Sequence, residues 1–423
     1  MKMKRKIKTS ITAAACTAVI LLTHTSCSLT IMGTESTGGF YITPYPSASS
    51  SSKVTELPID PLGTSDTEVS DTSSSAPIEE PVLEKKYTNP ISGVPSSYDS
   101  TGMRPIAVVI DNGAGAIAHQ TGVAEADILY ETLVAPGITR LLAIYADYRS
   151  QREICNIRAG RVCDVHIAEN YGAVLVSHGG HSDVNKEYDF FSAVSSVLGG
   201  KSSFINTINE PAWSAEGGEE LGTIKYYESN YRSDLKYDTV VTPEAIEYVL
   251  SSKRYSEFAK SGGSFSGEVK NLPSVSDTPL DGETCLGADI SFTAKGAETS
   301  LKKDVSYIYD GASDKYLRYE GERAHVDSKT GEQLAFSNIL FLLTDVKYID
   351  GDERDPLTTD VAVKGSGTGY YLSNGKYVSV IWVNTSGGMK IYSSSGELSL
   401  CTGNTYVAFL DRADGSVRLH TSK

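Results

Sequence analysis

IAVVID (106–111) is the first of four short apolar stretches that decide the fold. Three more follow along the chain, and these are DILYETLV (127–134), TRLLAIYA (139–146) and AVLVSHG (173–179). Each stretch is bounded by Gly, Asn or Pro, so each predicts a strand, and their continuous apolar character predicts burial on both faces. Helices are predicted for NIRAGRVCDVHIAENY (156–171) and for PEAIEYVLSSKRY (243–255). Buried strands separated partly by helices indicate a layered α/β domain over residues 87–255.

The sequence pattern changes from about residue 288, where tyrosine-rich runs alternate between apolar and polar residues. VSYIYD, KYLRYEG, YYLSNGKYVSVIWV and TYVAFLD are separated by turn signals, of which Asn374-Gly375 is the clearest hairpin signal. We therefore expect a mainly antiparallel β domain over residues 288–423. Residues 256–287, rich in Ser and Gly, are predicted to connect the two domains. The fold class predicted for the whole chain is α+β.

The N-terminus has the pattern of an export signal. MKMKRKIK (1–8) carries five cations, an apolar run over 13–22 follows, and small residues precede Cys27. The apolar run is too short to span a bilayer, for which roughly 20 residues are needed. We expect a signal peptide over residues 1–26 and lipid attachment at Cys27, although an uncleaved anchor and a cut near Cys16 stay open. The Ser-, Thr- and Pro-rich composition of residues 27–86 predicts a disordered tether. The protein is thus expected to be extracytoplasmic and lipid-anchored to the cell membrane.

Charge and cysteine content narrow the partners. Removing residues 1–26 takes away five of the 38 Lys and Arg and none of the 53 Asp and Glu, so the mature balance is −20. Such an acidic surface repels phosphate backbones, which argues against nucleic acid as a partner. Four other cysteines remain in the mature chain, Cys155, Cys163, Cys285 and Cys401, and their spacing matches no zinc pattern. For Cys155 and Cys163 we favour buried thiols over a disulfide. Other disulfide pairings stay open.

An ordered set of motifs connects the chain with a known family. In the first part these are NPISGVP (89–95), RPIAVVIDN (104–112), EADILYE (125–131), GITR (137–140), IRAGR (157–161) and HGG (178–180). The second part adds YIYD and YLRYEG (307–321), His325 with Asp327, Asn374-Gly375-Lys376 and Trp382. With these motifs the chain resembles the YerB-like lipoproteins, a two-part bacterial domain of unknown function. The resemblance implies a lipid anchor and covers most of residues 87–410.

The chain departs from the family pattern at two places. Gly113-Ala114-Gly115 stands where relatives generally carry a His-Pro pair, and Lys236-Tyr237-Asp238 stands where they carry a Pro-His-Asn element. If a histidine of these elements is catalytic in relatives, that role would not carry over to this chain.

Charged residues at strand ends are the candidate site. Strand alternation places Asp111, Glu131 and Arg140 on apolar faces, where they need partners or must line a crevice. Arg158 and Arg161 are three apart on the predicted helix, so they would share one face. Asp111 and His178 lie at the carboxyl ends of predicted strands, where ligands bind in open α/β sheets. The candidate ligand-binding residues are Asp111, Asn112, Glu131, Arg140, Arg158, Arg161 and His178.

Three interpretations of these residues stay open. They could form one buried ion-pair network, line a ligand pocket without chemistry, or supply a general acid. In the last case Glu131 or Asp111, its pKa raised by apolar neighbours, would act on a glycosidic bond. His178 and His181 with Asp183 form only a weak metal pattern, so a solvated loop is expected, and neither a metal nor a cofactor is predicted.

Two further sequence patterns are explained by structural roles. We expect tight β turns at the glycines of GSGTG (365–369). Trp382, Tyr370, Tyr371 and Tyr377 are typical of core and cross-strand pairs, with a sugar-binding platform as the alternative.

The function predicted is that of a membrane-anchored binding or assembly factor of the cell envelope. Its expected partners are the membrane through Cys27, and peptidoglycan or envelope proteins. The alternative from another class is a cell-wall glycan-cleaving enzyme. A receptor that feeds small ligands to a transporter fits less well, because no two-lobed repeat is evident.

Overall fold

The computed structural model describes residues 86–100, 102–151, 153–199, 203–208, 239–251, 274–293, 302–350, 357–385 and 388–421. The predicted signal peptide, Cys27 and the tether up to residue 85 lie outside the described residues. So do residues 256–273 of the predicted connection and the departure from the family pattern at 236–238. Residues Glu79–Lys423 form one compact unit.

The first half of this unit combines short strands with a few helices. Its strands are β1 (Tyr87–Thr88), β2 (Pro95–Ser96), β3 (Ile106–Asp111), β4 (Ile128–Ala135), β5 (Ile138–Tyr145), β6 (Ile154–Cys155), β7 (Val174–Ser177), β8 (Phe204–Asn206) and β9 (Val240–Val241). Its α-helices are α1 (Val162–Tyr171), α2 (Phe190–Val197) and α3 (Pro243–Ser251), and short 3-10 helices cover Ile117–His119 and Tyr148–Ser150.

The second half consists of strands throughout its described residues. The first eight are β10 (Val275–Ser276), β11 (Glu283–Thr284), β12 (Gly287–Phe292), β13 (Lys303–Asp310), β14 (Lys315–Glu320), β15 (Arg323–Ala324), β16 (Ala335–Phe336) and β17 (Asn338–Thr344). The others are β18 (Val346–Asp350), β19 (Leu357–Val361), β20 (Gly365–Ser373), β21 (Lys376–Thr385), β22 (Gly388–Ser393), β23 (Gly396–Leu398), β24 (Leu400–Cys401), β25 (Thr405–Asp411) and β26 (Ser416–Leu419). The described chain is therefore mainly β, with few helices.

Strands from both predicted domains share one large sheet. Its order is β23-β22-β21-β20-β17-β25-β4-β5-β3-β7-β8, with β11 paired to β21. Strand β25, from near the C-terminus, runs parallel to both of its neighbours, β17 and β4. The pairs β3-β7 and β7-β8 are also parallel, and the other pairs of this sheet are antiparallel. A second, antiparallel sheet has the order β15-β14-β13-β12-β26, with β16 paired to β14.

Strand β25 is buried on both faces because a different layer covers each. On one face, Tyr406 packs against Tyr307 of the second sheet, with ring centroids 5.1 Å apart. On the other face, Phe409 stacks on Tyr130 at 6.3 Å. The hydroxyl of Tyr130 in turn meets that of Tyr171 on α1 at 2.6 Å. The central part of the large sheet therefore lies between helix α1 and the second sheet.

The predicted helix over 156–171 is wrong in its first six residues. Helix α1 begins only at Val162. Asn156 has a φ of 67°, and its carbonyl accepts from the Asp111 N–H at 2.8 Å. Arg158 N–H donates to Val109 O at 2.9 Å, so the chain runs beside β3 instead of coiling. The prediction that Arg158 and Arg161 share one helical face is therefore also wrong.

The glycines of residues 365–369 lie in strand β20, so the prediction of tight turns there is wrong. A Cβ at Gly369 would lie 2.2 Å from Phe341 O of the neighbouring strand, which shows that the glycine permits close approach of the two backbones. The hairpin predicted at Asn374-Gly375 is confirmed. Both residues have positive φ, 51° and 68°, as a two-residue turn between β20 and β21 requires.

The four described cysteines are buried free thiols, as favoured from the sequence for Cys155 and Cys163. Within the described residues, no helix is both long enough and apolar enough to span a membrane.

Candidate functional site

The large sheet divides the predicted site residues between its two faces. Asp111 and Arg140 stand directly opposite each other in the β3-β5 pair, so their side chains share a face. Glu131 pairs with Leu141, the residue next to Arg140. Because side chains alternate along a strand, Glu131 points to the opposite face. The structure thus forms two polar groups instead of one pocket.

The first group, here called the Glu131 cluster, lies between the two sheets. Glu131 Oε2 is 2.8 Å from Arg318 Nη1 and accepts from Tyr406 Oη at 2.7 Å. Glu131 Oε1 accepts from Thr139 Oγ1 at 2.6 Å and from Asn112 Nδ2 at 2.9 Å. Both carboxylate oxygens are therefore fully engaged in the interior.

Two further charges complete the Glu131 cluster. Lys303 Nζ lies 3.0 Å from Glu320 Oε1 and 3.8 Å from Glu131 Oε1, and Arg318 Nη2 donates to Glu320 at 2.7 Å. Two cations thus face two carboxylates. Burial favours the neutral acid, but the charges of Arg318 and Lys303 outweigh it and hold the pKa of Glu131 below its ordinary value.

A histidine and an amide extend the cluster to strand β3. Arg318 Nε donates to His325 Nδ1 at 2.9 Å, so the other ring nitrogen carries the proton and donates to Gln120 Oε1 at 2.5 Å. Gln120 Nε2 donates to Asp111 O at 2.6 Å. Burial, Arg318 and Lys303 lower the pKa of His325 well below its ordinary value, so this histidine is neutral at physiological pH.

The geometry argues against Glu131 as a general acid. A general acid needs a raised pKa and contact with its substrate, whereas the Glu131 side chain is 0% exposed and its pKa is lowered. Its strongest partner, Arg318, is not among the site residues predicted from the sequence, although it lies within the motif YLRYEG. His325 likewise belongs to the family motifs in the second part of the sequence, so membership in these motifs is the signal that indicates both residues.

The second group, here called the arginine cluster, lies on the other face of the sheet at the carboxyl ends of β3 and β7. It comprises Arg140, Arg158, Arg161, Asp111 and His178. Asp111 Oδ2 is 3.0 Å from Arg158 Nε, and the two side chains are 19% and 24% exposed, so this pair reaches the surface.

His178 is held beside this ion pair. Its main-chain N–H donates to Arg158 O at 3.0 Å, and its Nδ1 is 2.8 Å from Thr207 Oγ1. Burial and the Arg158 charge lower the pKa of His178, so its neutral form is favoured.

Arg140 lies beneath the surface pair, and its Nη1 donates to Ala159 O. Burial and then the charges of Arg161 and Arg158 lower the pKa of Arg140 to about 9, although Asp111 and the nearby Asp164 act in the opposite sense. Burial and the two neighbouring guanidinium groups thus oppose the charge of Arg140 more than the two carboxylates favour it. Burial raises the pKa of Asp164 to about 6.

The remaining candidates lie apart from these two groups. His181 Nε2 is 3.7 Å from Asp183, and no group of three or more metal-binding side chains occurs among the described residues. Trp382 and Tyr371 are fully buried in the core, so they contribute to no sugar-binding platform. Tyr370 and Tyr377 are half-buried, with ring centroids 6.3 Å apart.

Two family models match the chain. They are described as "Protein of unknown function (DUF3048) N-terminal domain", which matches residues 91–212, and "Protein of unknown function (DUF3048) C-terminal domain", which matches residues 297–407. Together the two matches cover more than half of the chain. The protein therefore belongs to this two-part family, and the resemblance predicted from the motifs is confirmed.

A curated relative and a solved structure agree with this assignment. The Bacillus subtilis (strain 168) protein named "Putative lipoprotein YerB" is 22% identical over 336 residues, which are 79% of this chain and 90% of that protein. The crystal structure of YerB protein from Bacillus subtilis matches with a TM-score of 0.56 at 19% identity, covering 79% of this chain and 100% of that chain. At this identity the structural match shows the fold alone.

Proposed function

We propose that this chain is a lipid-anchored, extracytoplasmic binding protein of the cell envelope whose arginine cluster binds an acidic group of the ligand. The observation that carries the proposal is geometric: Arg140, Arg158 and Arg161 lie close enough at the carboxyl ends of β3 and β7 to repel one another, and the Arg158–Asp111 pair reaches the surface. An incoming anion would relieve this repulsion. Guanidinium groups bind carboxylates and phosphates through two parallel hydrogen bonds, so either group suits the cluster.

The anchor part of the proposal is supported by the sequence and by the curated relative. The leader and Cys27 have the order expected of a lipoprotein signal. The curated relative carries the word lipoprotein in its name. A flexible tether of about 60 residues would span roughly 40 Å, which places the folded unit within reach of peptidoglycan and of envelope proteins, both of which carry carboxylates.

The glycan-cleaving alternative has less support. Glu131 is buried with its oxygens engaged, and Asp111 is paired with Arg158, so neither is a free acid in a cleft. Two catalytic carboxylates of a glycosidase flank the scissile bond from one pocket, whereas Asp111 and Glu131 point to opposite faces of the sheet.

Calorimetric titration with inorganic phosphate, glutarate and uncharged glutaramide tests the binding site. We expect wild type to bind phosphate or glutarate but not glutaramide, and Arg158→Gln to lose at least tenfold in affinity. Arg149→Gln is the matched control, because Arg149 pairs with Asp147 outside the cluster and is 42% exposed. Equal binding by Arg158→Gln and wild type, or no anion binding by wild type, would refute the proposed site.

Metabolic labelling with a fatty-acid analogue tests the anchor separately. We expect label on wild type and none on Cys27→Ala. Label on both proteins would place the lipid elsewhere, and label on neither would overturn the lipid anchor.

A further inference from the structure

We propose that a groove in the β-rich half binds a neutral, hydroxyl-rich glycan, independently of the arginine cluster. The groove is an open cavity of about 790 Å³, within the usual range of ligand pockets. It is lined by Ser276 and residues 278–283, by Tyr377, Val378 and Ser379 of β21, and by residues of the β22-β23 hairpin and its continuation to Cys401.

Main-chain pairing holds the groove in shape. Strand β10 pairs with β24, and strand β11 pairs with β21, so both ends of the segment 276–283 are fixed. Between them, Gly282 lies so close to β21 that a Cβ would be 2.3 Å from Tyr377 O. Thr402 Oγ1 also donates to Asp277 Oδ1 at 2.6 Å. The cavity is therefore preformed, which lowers the entropic cost of binding.

The lining chemistry selects the ligand class. Besides Tyr377, hydroxyl groups come from seven Ser and Thr side chains, and carboxylates come from Asp281 and Glu283. The described residues that line the groove include no Lys, Arg or His. Carboxylates repel anions but accept hydrogen bonds from ligand hydroxyls, and serine hydroxyls both donate and accept. A neutral polyol fits this lining, whereas a phosphate or an acidic peptide does not.

Tyr377 supplies the aromatic surface that sugar rings pack against. Its ring lies 6.3 Å from that of Tyr370, and its hydroxyl donates to Glu283 Oε2 at 3.1 Å. These contacts fix the ring while leaving it half-buried at the groove. A fixed aromatic ring beside a carboxylate and several hydroxyls offers both an apolar face and polar partners, as a pyranose requires.

Calorimetric titration of the full chain with chitotetraose, cellotetraose and maltotetraose tests the proposal. We expect wild type to bind at least one of these neutral tetrasaccharides. Tyr377→Phe keeps the ring and should stay within threefold of the wild-type affinity, whereas Tyr377→Ala should lose at least tenfold. Ser379→Arg fills the groove from an exposed strand position and should also abolish binding.

Two controls separate this site from folding effects and from the arginine cluster. Tyr319→Ala removes a half-buried tyrosine from the second sheet and should leave glycan binding unchanged. Arg158→Gln should also leave glycan binding unchanged, while Tyr377→Ala should leave anion binding unchanged. No binding of any tetrasaccharide by wild type, or wild-type affinity in both Tyr377→Ala and Ser379→Arg, would overturn the glycan site without affecting the proposed anion site.

Discussion

Replacing Glu131 by glutamine should lower the free energy of unfolding by much more than the loss of one charge at the surface would. In the wild type, Arg318 and Lys303 face the carboxylates of Glu131 and Glu320, and the Glu131 and Arg318 side chains are 0% exposed. The introduced amide would keep an oxygen for Asn112 but leave two buried cations with one carboxylate. Breaking a buried pair on one side costs about 3 to 5 kcal/mol, so we expect the free energy of unfolding to fall by about 4 kcal/mol.

Urea unfolding followed by tryptophan fluorescence measures this loss. With a slope of about 4 kcal/mol per molar urea for a unit of this size, the midpoint should fall by about 1 M. Glu397→Gln is the matched control, since its exposed pair with Lys390 should contribute less than about 1 kcal/mol. Arg318→Met should also destabilise strongly, and the double variant should lose clearly less than the two single losses combined. A Glu131→Gln loss below about 1 kcal/mol, or strict additivity with Arg318→Met, would refute the reasoning.

Two other variants test the burial of Asp164 and the packing of the large sheet. The pKa of Asp164 is raised to about 6 from 3.8, so its stabilising effect is complete below pH 3.8 and is lost as pH rises through 6. At about 1.4 kcal/mol per pKa unit, the Asp164→Asn variant should be more stable than wild type by up to about 3 kcal/mol at pH 7.5 and nearly equal in stability at pH 4. Melting temperatures of both proteins at both pH values measure this difference. An equal difference in melting temperature at the two pH values would contradict the prediction. Gly369→Ala should lower the free energy of unfolding in urea by at least about 2 kcal/mol, because the added Cβ would overlap Phe341 O. In the control Gly311→Ala the added Cβ would meet nothing closer than 3.9 Å, so the stability should change little. Equal stability of the two variants would contradict this prediction.

Local patterns predicted the individual elements well. The run at 106–111 is strand β3 to the residue, and the helix expected from Pro243 begins there. Asn374-Gly375 forms the predicted hairpin. These signals are short-range, because apolar alternation, a capping residue and a turn pair each act within a few residues.

Long-range pairing could not be predicted in the same way. The position of TYVAFLD in the chain predicts that it belongs to the second domain, yet as β25 it lies between β17 and β4. An all-apolar strand shows that both faces are buried but does not identify its neighbours. The same limit applies to the site, since Tyr406 and Glu131 are 275 residues apart and meet only through this pairing.

The two polar groups are connected through the end of β3, which gives the second sheet a role in the proposed binding site. Asp111 directs its carboxylate to Arg158, while its carbonyl accepts from Gln120 of the interior network. The next residue, Asn112, donates to Glu131 and accepts from Lys303 Nζ at 2.7 Å through its carbonyl. Buried side chains of the second sheet thus fix the backbone from which Asp111 reaches the arginine cluster. Because guanidinium contacts with an anion are sensitive to small shifts, we expect the second half of this chain to position the proposed anion site of the first half without contacting the ligand.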